Sequence, residues 1–151
     1  MHKNFRTIKL RDIQGNETSL DTVVDPESKT ALIISFSRTQ NTKHLCKVWH
    51  TKLERLAGER MKICKVVAFK IPFDELFKSS YDAAVKSFNG EMSDQNVYST
   101  YGTCAKKLYS TTNVKTEDTV VVCVYDSAKN LLFLHNDVYS ENAVKKLERV
   151  V

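Results

Sequence analysis

Ala31-Leu32-Ile33-Ile34-Ser35-Phe36-Ser37-Arg38-Thr39-Gln40-Asn41-Thr42-Lys43-His44 is the stretch whose reading decides the fold. Ala31 to Phe36 is apolar apart from Ser35 and shows no polar alternation, the pattern of a strand covered on both faces of a parallel sheet. After the polar break a helical repeat begins, in which Leu45, Val48, Trp49, Leu53 and Leu56 recur at three and four residues and share one face. Thr42 is the expected N-cap, and Gly58 the expected stop. A second buried strand, Met61 to Phe69, follows, with Ile63, Val67 and Phe69 facing one way and Cys64, Val66 and Ala68 the other. Such a strand-helix-strand unit closes right-handed, with its strands parallel.

Upstream, Phe5, Thr7 and Lys9 alternate with Arg6, Ile8 and Leu10, predicting a strand that stops at Asp12-Ile13-Gln14-Gly15-Asn16. Glu17-Thr18-Ser19-Leu20 pairs back as a short strand, and the segment to Lys29, with Pro26, reads as a loop or one helical turn. Downstream of Pro72, the positions Phe73, Leu76, Phe77, Ala84, Val85 and Phe88 predict one or two helical pieces ending at Asn89-Gly90. Ser93 or Asp94 then caps a further helix in which Val97, Tyr101, Cys104 and Leu108 keep a helical repeat. Thr119 to Tyr125 is the strongest strand signal in the chain, and Asp126 to Asn130 turns it into Leu131 to His135. Ser140 caps a last helix, with Glu141 in its first turn and Ala143, Val144, Leu147 and Val151 as its apolar stripe. The order predicts an α/β fold: a mixed β-sheet of four or five strands, flanked by helices on both faces.

The bulk properties agree with one domain over residues 1–151. A chain of 151 residues buries roughly two-thirds of the surface that its unfolded form exposes. With 42% hydrophobic and 27% charged residues, and only 4 Gly and 2 Pro, it has the composition of a fully folded domain. The net charge of +5 comes from 23 basic residues interspersed with 18 acidic ones. No Lys/Arg run exceeds two residues and no basic stripe is interleaved with aromatics, so nucleic acid ranks below protein as a partner. No stretch approaches the ~20 apolar residues of a transmembrane helix, and Met1-His2-Lys3-Asn4 does not read as a signal peptide. Cys46, Cys64, Cys104 and Cys123 form no C-x-x-C and no zinc spacing, as expected of reduced thiols in an intracellular compartment. A Gly-rich phosphate loop and a metal-ligand cluster are both missing, and no cofactor or metal is expected.

With Leu10, Asp12, Gly15 and Ser19-Leu20 ahead of the strand ending at Phe36, the chain resembles the thioredoxin-like superfamily, and within it the peroxiredoxin and redoxin branch. That resemblance implies a thioredoxin-like fold with the reactive site at the loop after Phe36. Counted from Phe36, the superfamily's two thiols fall at Asn41 and His44. On the branch's Thr-x-x-Cys motif the stretch is Thr39-Gln40-Asn41-Thr42, and again no thiol is present. Active members carry a cis-proline just before the last strand pair, whose backbone receives the substrate's extended chain; here that place holds Thr116-Glu117-Asp118-Thr119. Trp49, Tyr101-Gly102, Asn113 and Val120 to Tyr125 also stand in the order found in the thioredoxin-like assembly factors of the mitochondrial ATP synthase. This second likeness implies a chaperone of complex assembly, and a mitochondrial matrix location as the alternative to the cytoplasm.

The expected role is therefore protein binding by a degenerate redox site, through Asn41, Thr42, His44, Trp49, Tyr98 and Tyr101. The alternative is a one-cysteine redoxin that uses Cys46, with His50 one turn on as its base. Cys46 lies about a turn into the helix, beside Lys43, His44 and Lys47, where the dipole's help to a thiolate is mostly spent. It reads first as a partly buried helix residue, and Cys64, Cys104 and Cys123 read as core. An exposed subset of Phe73, Phe77, Tyr81, Phe88, Tyr98, Tyr101 and Tyr109 would make a partner-binding patch.

Overall fold

Strand β3, Lys29–Ser35, is the centre of the molecule, and every residue from Thr30 onward in it is buried. The computed structural model describes residues 7–89 and 96–151. Before β3 come β1 (Lys9–Asp12), β2 (Glu17–Ser19) and the short helix α1 (Leu20–Val23); after it come helix α2 (Gln40–Ala57), β4 (Met61–Phe69), a 3-10 turn (Glu75–Phe77) and helix α3 (Lys78–Asn89). The second half holds β5 (Val97–Tyr101), α4 (Gly102–Thr112), β6 (Val120–Tyr125), β7 (Leu131–His135) and α5 (Glu141–Glu148). Together the strands form one seven-stranded sheet in the order β2-β1-β5-β4-β3-β6-β7.

β3 runs parallel to β4, from Lys29 opposite Met61 to Ser35 opposite Val67, and antiparallel to β6, from Thr30 opposite Tyr125 to Ser35 opposite Val120. Side chains alternate along these strands, so two separate cores form. On one face Ala31, Ile33, Val67, Val120, Val122 and Val124 pack against α2, α3 and α5 through Trp49, Leu53, Val85, Phe88, Val144 and Leu147. On the other, Leu32, Ile34, Val66, Val121 and Tyr125 pack against α1 and α4 through Leu20, Val23, Ala105 and Leu108. Helices thus cover both faces, as the unbroken apolar runs require. Burying each of these Val, Leu or Ile side chains contributes about 1.5–3 kcal/mol against leaving it in water.

Three sequence expectations need correction. The helical repeat through Val97 and Tyr101 is a strand: β5 pairs parallel with β4, Val97 opposite Lys65 and Tyr101 opposite Phe69, and antiparallel with β1. Val97 and Tyr101 are four residues apart, which keeps two side chains on the same face of a strand as well as on one side of a helix; the β-branched and aromatic run Val-Tyr-Ser-Thr-Tyr settles it as strand. The helix begins at Gly102, and the expected caps Ser93 and Asp94 lie outside the described residues. The sheet has seven strands rather than four or five, because β1, β2 and β5 extend the core laterally. The cap of α2 is Thr39, whose Oγ1 accepts from the Thr42 amide at 3.2 Å. Ser140 caps α5 as expected, accepting from the Ala143 amide at 3.1 Å.

Gly102 is where β5 turns into α4. Its φ is +56°, its N–H donates to the Ile71 carbonyl at 2.8 Å, and a Cβ there would stand 3.3 Å from the Pro72 Cα. Gly102→Ala should cost at least ~1–2 kcal/mol, the strain of a side chain in the left-handed region. Urea unfolding, followed by far-ultraviolet circular dichroism, measures this as a lower midpoint at unchanged slope.

Candidate functional site

A strand buried on both faces must still satisfy its polar groups where it leaves the sheet. The loop after β3 does so with its own side chains. The Ser35 hydroxyl donates to the Ser37 carbonyl, the Ser37 hydroxyl donates to the Glu117 carbonyl at 2.7 Å, and the Thr42 hydroxyl reaches the Ser37 and Thr39 carbonyls at 3.2 and 2.9 Å. Arg38 turns back over β4, its guanidinium 4.4 Å from the Phe69 ring centre and donating to the Ala68 carbonyl at 3.1 Å. Burial lowers the Arg38 pKa, and Glu117 partly opposes that.

The same loop is tied to the segment before β6. The Thr39 hydroxyl bonds the Asp118 carboxylate at 3.0 Å, while the Asn41 amide donates to the Asp118 carbonyl at 2.9 Å and to its carboxylate at 3.3 Å. Asp118 is held in turn by its own N–H, which donates to Thr116 Oγ1 at 3.3 Å. Lys70, just past β4, forms an ion pair with Glu117 and lies 4.3 Å above the Tyr109 ring. Every described peptide bond, including those of 116–119, is trans. Asn41 is exposed, yet its amide is committed to the backbone of the facing segment.

The other expected site residues scatter. His44 is exposed on the first turns of α2, Thr42 is fully buried, and Trp49 is 1% exposed. Trp49 is a correction to its expected binding role: its ring packs edge-on to Tyr139 at 5.1 Å and is tilted against His135 at 5.4 Å, inside the core. Tyr98 faces the α1 and α4 side of the sheet. Tyr101 belongs to the opposite side, stacked on Phe69 at 5.1 Å and meeting Phe73 and Tyr81 at 5.0 and 5.1 Å, with Arg11 above Phe73 at 3.9 Å. Burial raises the pKa of both tyrosines.

Cys46 is 2% exposed, and burial pushes its thiol up to about 11, against a weaker lowering by Lys65. His50 is engaged by Glu54 in an i,i+4 pair, and its pKa is lowered by burial first and by Lys65 second, with Glu54 opposing. Lys65, 3% exposed, sits beneath α2 and feels both Cys46 and Glu54. Burial thus favours the protonated thiol, whereas nucleophilic cysteines are at least partly exposed in electropositive surroundings. Among the described residues no group of three His, Cys, Asp or Glu could hold a metal ion. No described helix is long and apolar enough to cross a membrane.

The resemblance marks 116–119 as the place of the missing cis-proline, but reading the sequence alone misses that Glu117 and Asp118 there take the hydrogen bonds of Ser37, Thr39 and Asn41, because nothing local reveals partners nearly eighty positions apart. It also underrates the segment after β4. Ile71, Leu76 and Phe77 are exposed, Leu76 by 87%, beside a cavity of about 390 Å³ lined by Ile71, Pro72, Asp74, Phe77, Ser80 and Tyr81. Phe77 is thus the exposed member of the aromatic set, while Tyr81 and Phe88 are buried.

Neither a protein-family model nor a curated protein sequence matches the chain. Solved structures do. A secreted Mycobacterium tuberculosis disulfide oxidoreductase homologous to E. coli DsbE matches with TM-score 0.59 at 8% identity, covering 99% of this chain and 100% of that one. A thioredoxin-like protein from Aeropyrum pernix matches with TM-score 0.59 at 16% identity over 95% of this chain and 88% of that one. Copper-bound yeast Sco1 matches with TM-score 0.58 at 16% identity over 94% and 88%. The chain has a thioredoxin-like fold.

Three thiols are held above their ordinary value by burial, Cys46 to about 11 and Cys64 and Cys123 to about 12. The folded state therefore keeps protons that the unfolded chain releases from about pH 9 upward, and the stability they contribute is present below that and lost as pH rises through these values. Denaturation curves taken between neutral pH and pH ~11 should show stability falling above pH ~9, with a shallower fall in Cys46→Ala.

Proposed function

We propose that this thioredoxin-like domain works by binding other proteins and carries out no disulfide chemistry at the loop after β3. It would act as an assembly factor or as a subunit of a larger complex, in a reducing compartment, the mitochondrial matrix or the cytoplasm. The observation that supports this most is the closure of Asn41 and Thr39 onto Asp118. A redox site of this fold needs a thiol at the start of α2 and a free backbone edge opposite it. Here an amide occupies the first place and spends its donor on the second. Asn41, Gln40 and His44 remain exposed as a polar rim at the helix start, suited to a partner's surface rather than to attack on a disulfide.

The competing reading is a one-cysteine redoxin using Cys46 and His50, and the burial of Cys46 weighs against it. A pKa near 11 in place of 9 leaves about 100-fold fewer thiolates at neutral pH. Mass-spectrometric readout of labelling by a thiol-reactive probe at neutral pH should find Cys46 slower than Cys104, the one partly exposed cysteine. Rapid, selective modification of Cys46 would overturn the binding reading in favour of the enzyme. In parallel, a partner captured from the native source by the intact protein should be lost on His44→Asp, a change on an exposed position that leaves the thermal midpoint in place.

A further inference from the structure

The 3-10 turn after β4 carries an apolar surface that the described residues do not cover. Leu76 projects with 87% of its surface in solvent, Phe77 and Ile71 with 55% each, and the cavity of about 390 Å³ opens directly beside them. Glu75 and Lys78 flank the pair, both exposed. In a 3-10 turn residues three apart stand one above the other, so Glu75 and Lys78 form a short row beside the apolar knob, acidic at one end and basic at the other. The Asp74 carboxylate is already spent on the Leu76 amide at 3.0 Å, and Lys78 reaches Asp82 only at 4.0 Å, with both side chains nearly half exposed. The ammonium is therefore available to a better partner.

A knob beside a hole, with a row of opposite charges alongside, is self-complementary under a two-fold axis. Two such rows laid antiparallel bring Glu75 of each copy to Lys78 of the other, and Leu76 of each to the other's cavity. Isologous contacts of this kind close at two copies and leave no patch for further growth. An acidic or a basic partner would match one end of the row and repel the other, so the charge pattern favours a second copy of this chain. We propose that the Glu75–Lys78 turn is a homodimer interface of the protein, with Leu76 as its anchor. This goes beyond the binding role above and stands apart from it, since it uses neither the loop after β3 nor Cys46.

The test is the mass in solution, measured by light scattering on a sizing column across a concentration series of the full chain. The expected result is a mass that doubles with concentration. Leu76→Ser and Glu75→Lys should each abolish the doubling, and the pair Glu75→Lys/Lys78→Glu should restore it, because the exchange rebuilds the row in reverse. All of these positions are exposed, and an unchanged thermal midpoint of the dilute monomer confirms that each variant is folded. A wild-type mass that stays monomeric throughout overturns the proposal. So does a dimer that Leu76→Ser and Glu75→Lys leave intact. A monomer from which Leu76→Ser removes a different bound protein assigns the turn to a foreign partner and also overturns it.

Discussion

A strand with no solvent on either side can stop only where its backbone and hydroxyl groups find partners, and the end of β3 meets that demand entirely from within the protein. Ser35, Ser37 and Thr42 donate to the carbonyls around them, Thr39 accepts from the Thr42 amide, and Arg38 folds back on β4. The loop cannot be read as an open platform that happens to lack sulfur. Its side chains form a closed network whose farthest members, Asp118 and Glu117, belong to the segment entering β6. The members nearest the strand, Ser35 and Thr42, are buried, and there such hydrogen bonds gain strength from one another; breaking one would leave a buried polar group at the strand's end without its partner.

The fate of the thiols follows from the same economy of space. With none available at the start of α2, the nearest sulfur, Cys46, lies on the inward face of the helix against the sheet, where it serves as a small apolar side chain. Lys65 and His50 stand beside it, but the largest effect on all three groups is desolvation, which acts toward the neutral form. A nucleophile needs approach as well as a base. Cys46, 2% exposed, leaves almost no surface for a substrate to reach.

What could be read from residues alone was whatever rested on a single periodicity. β3, α2, β4, β6, β7 and α5 each have one dominant pattern over five residues or more, and each stands where that pattern places it. Val97 to Tyr101 misleads because spacings of four fit a strand as well as a helix, and only the pairing with β4 and β1 decides. Trp49 illustrates a different limit: its position on the apolar face of α2 was legible, while its burial depends on Tyr139 and His135 from the far end of the chain. The closure onto Asp118 is likewise a product of topology, since β3 and β6 are neighbours in the sheet although β4 and β5 lie between them in the chain. Edge protection was equally hidden. β2 is three residues long and begins with Glu17, and β7 carries a register shift opposite Val124 and Tyr125, both of which discourage edge-to-edge association.

The placement of β1 bears on how the molecule comes into being. Its inner neighbour is β5, so Arg11 meets Ser99 and Asp12 meets Tyr98 across more than half of the chain. During synthesis the β1–β2 hairpin is made well before β5, yet its slot in the sheet does not exist until β5 has been made and laid beside β4. Ile8 and Leu10, fully buried in the finished fold, wait without their final cover until then. β1 is thus made before β3, β4 and β5 and seated after them.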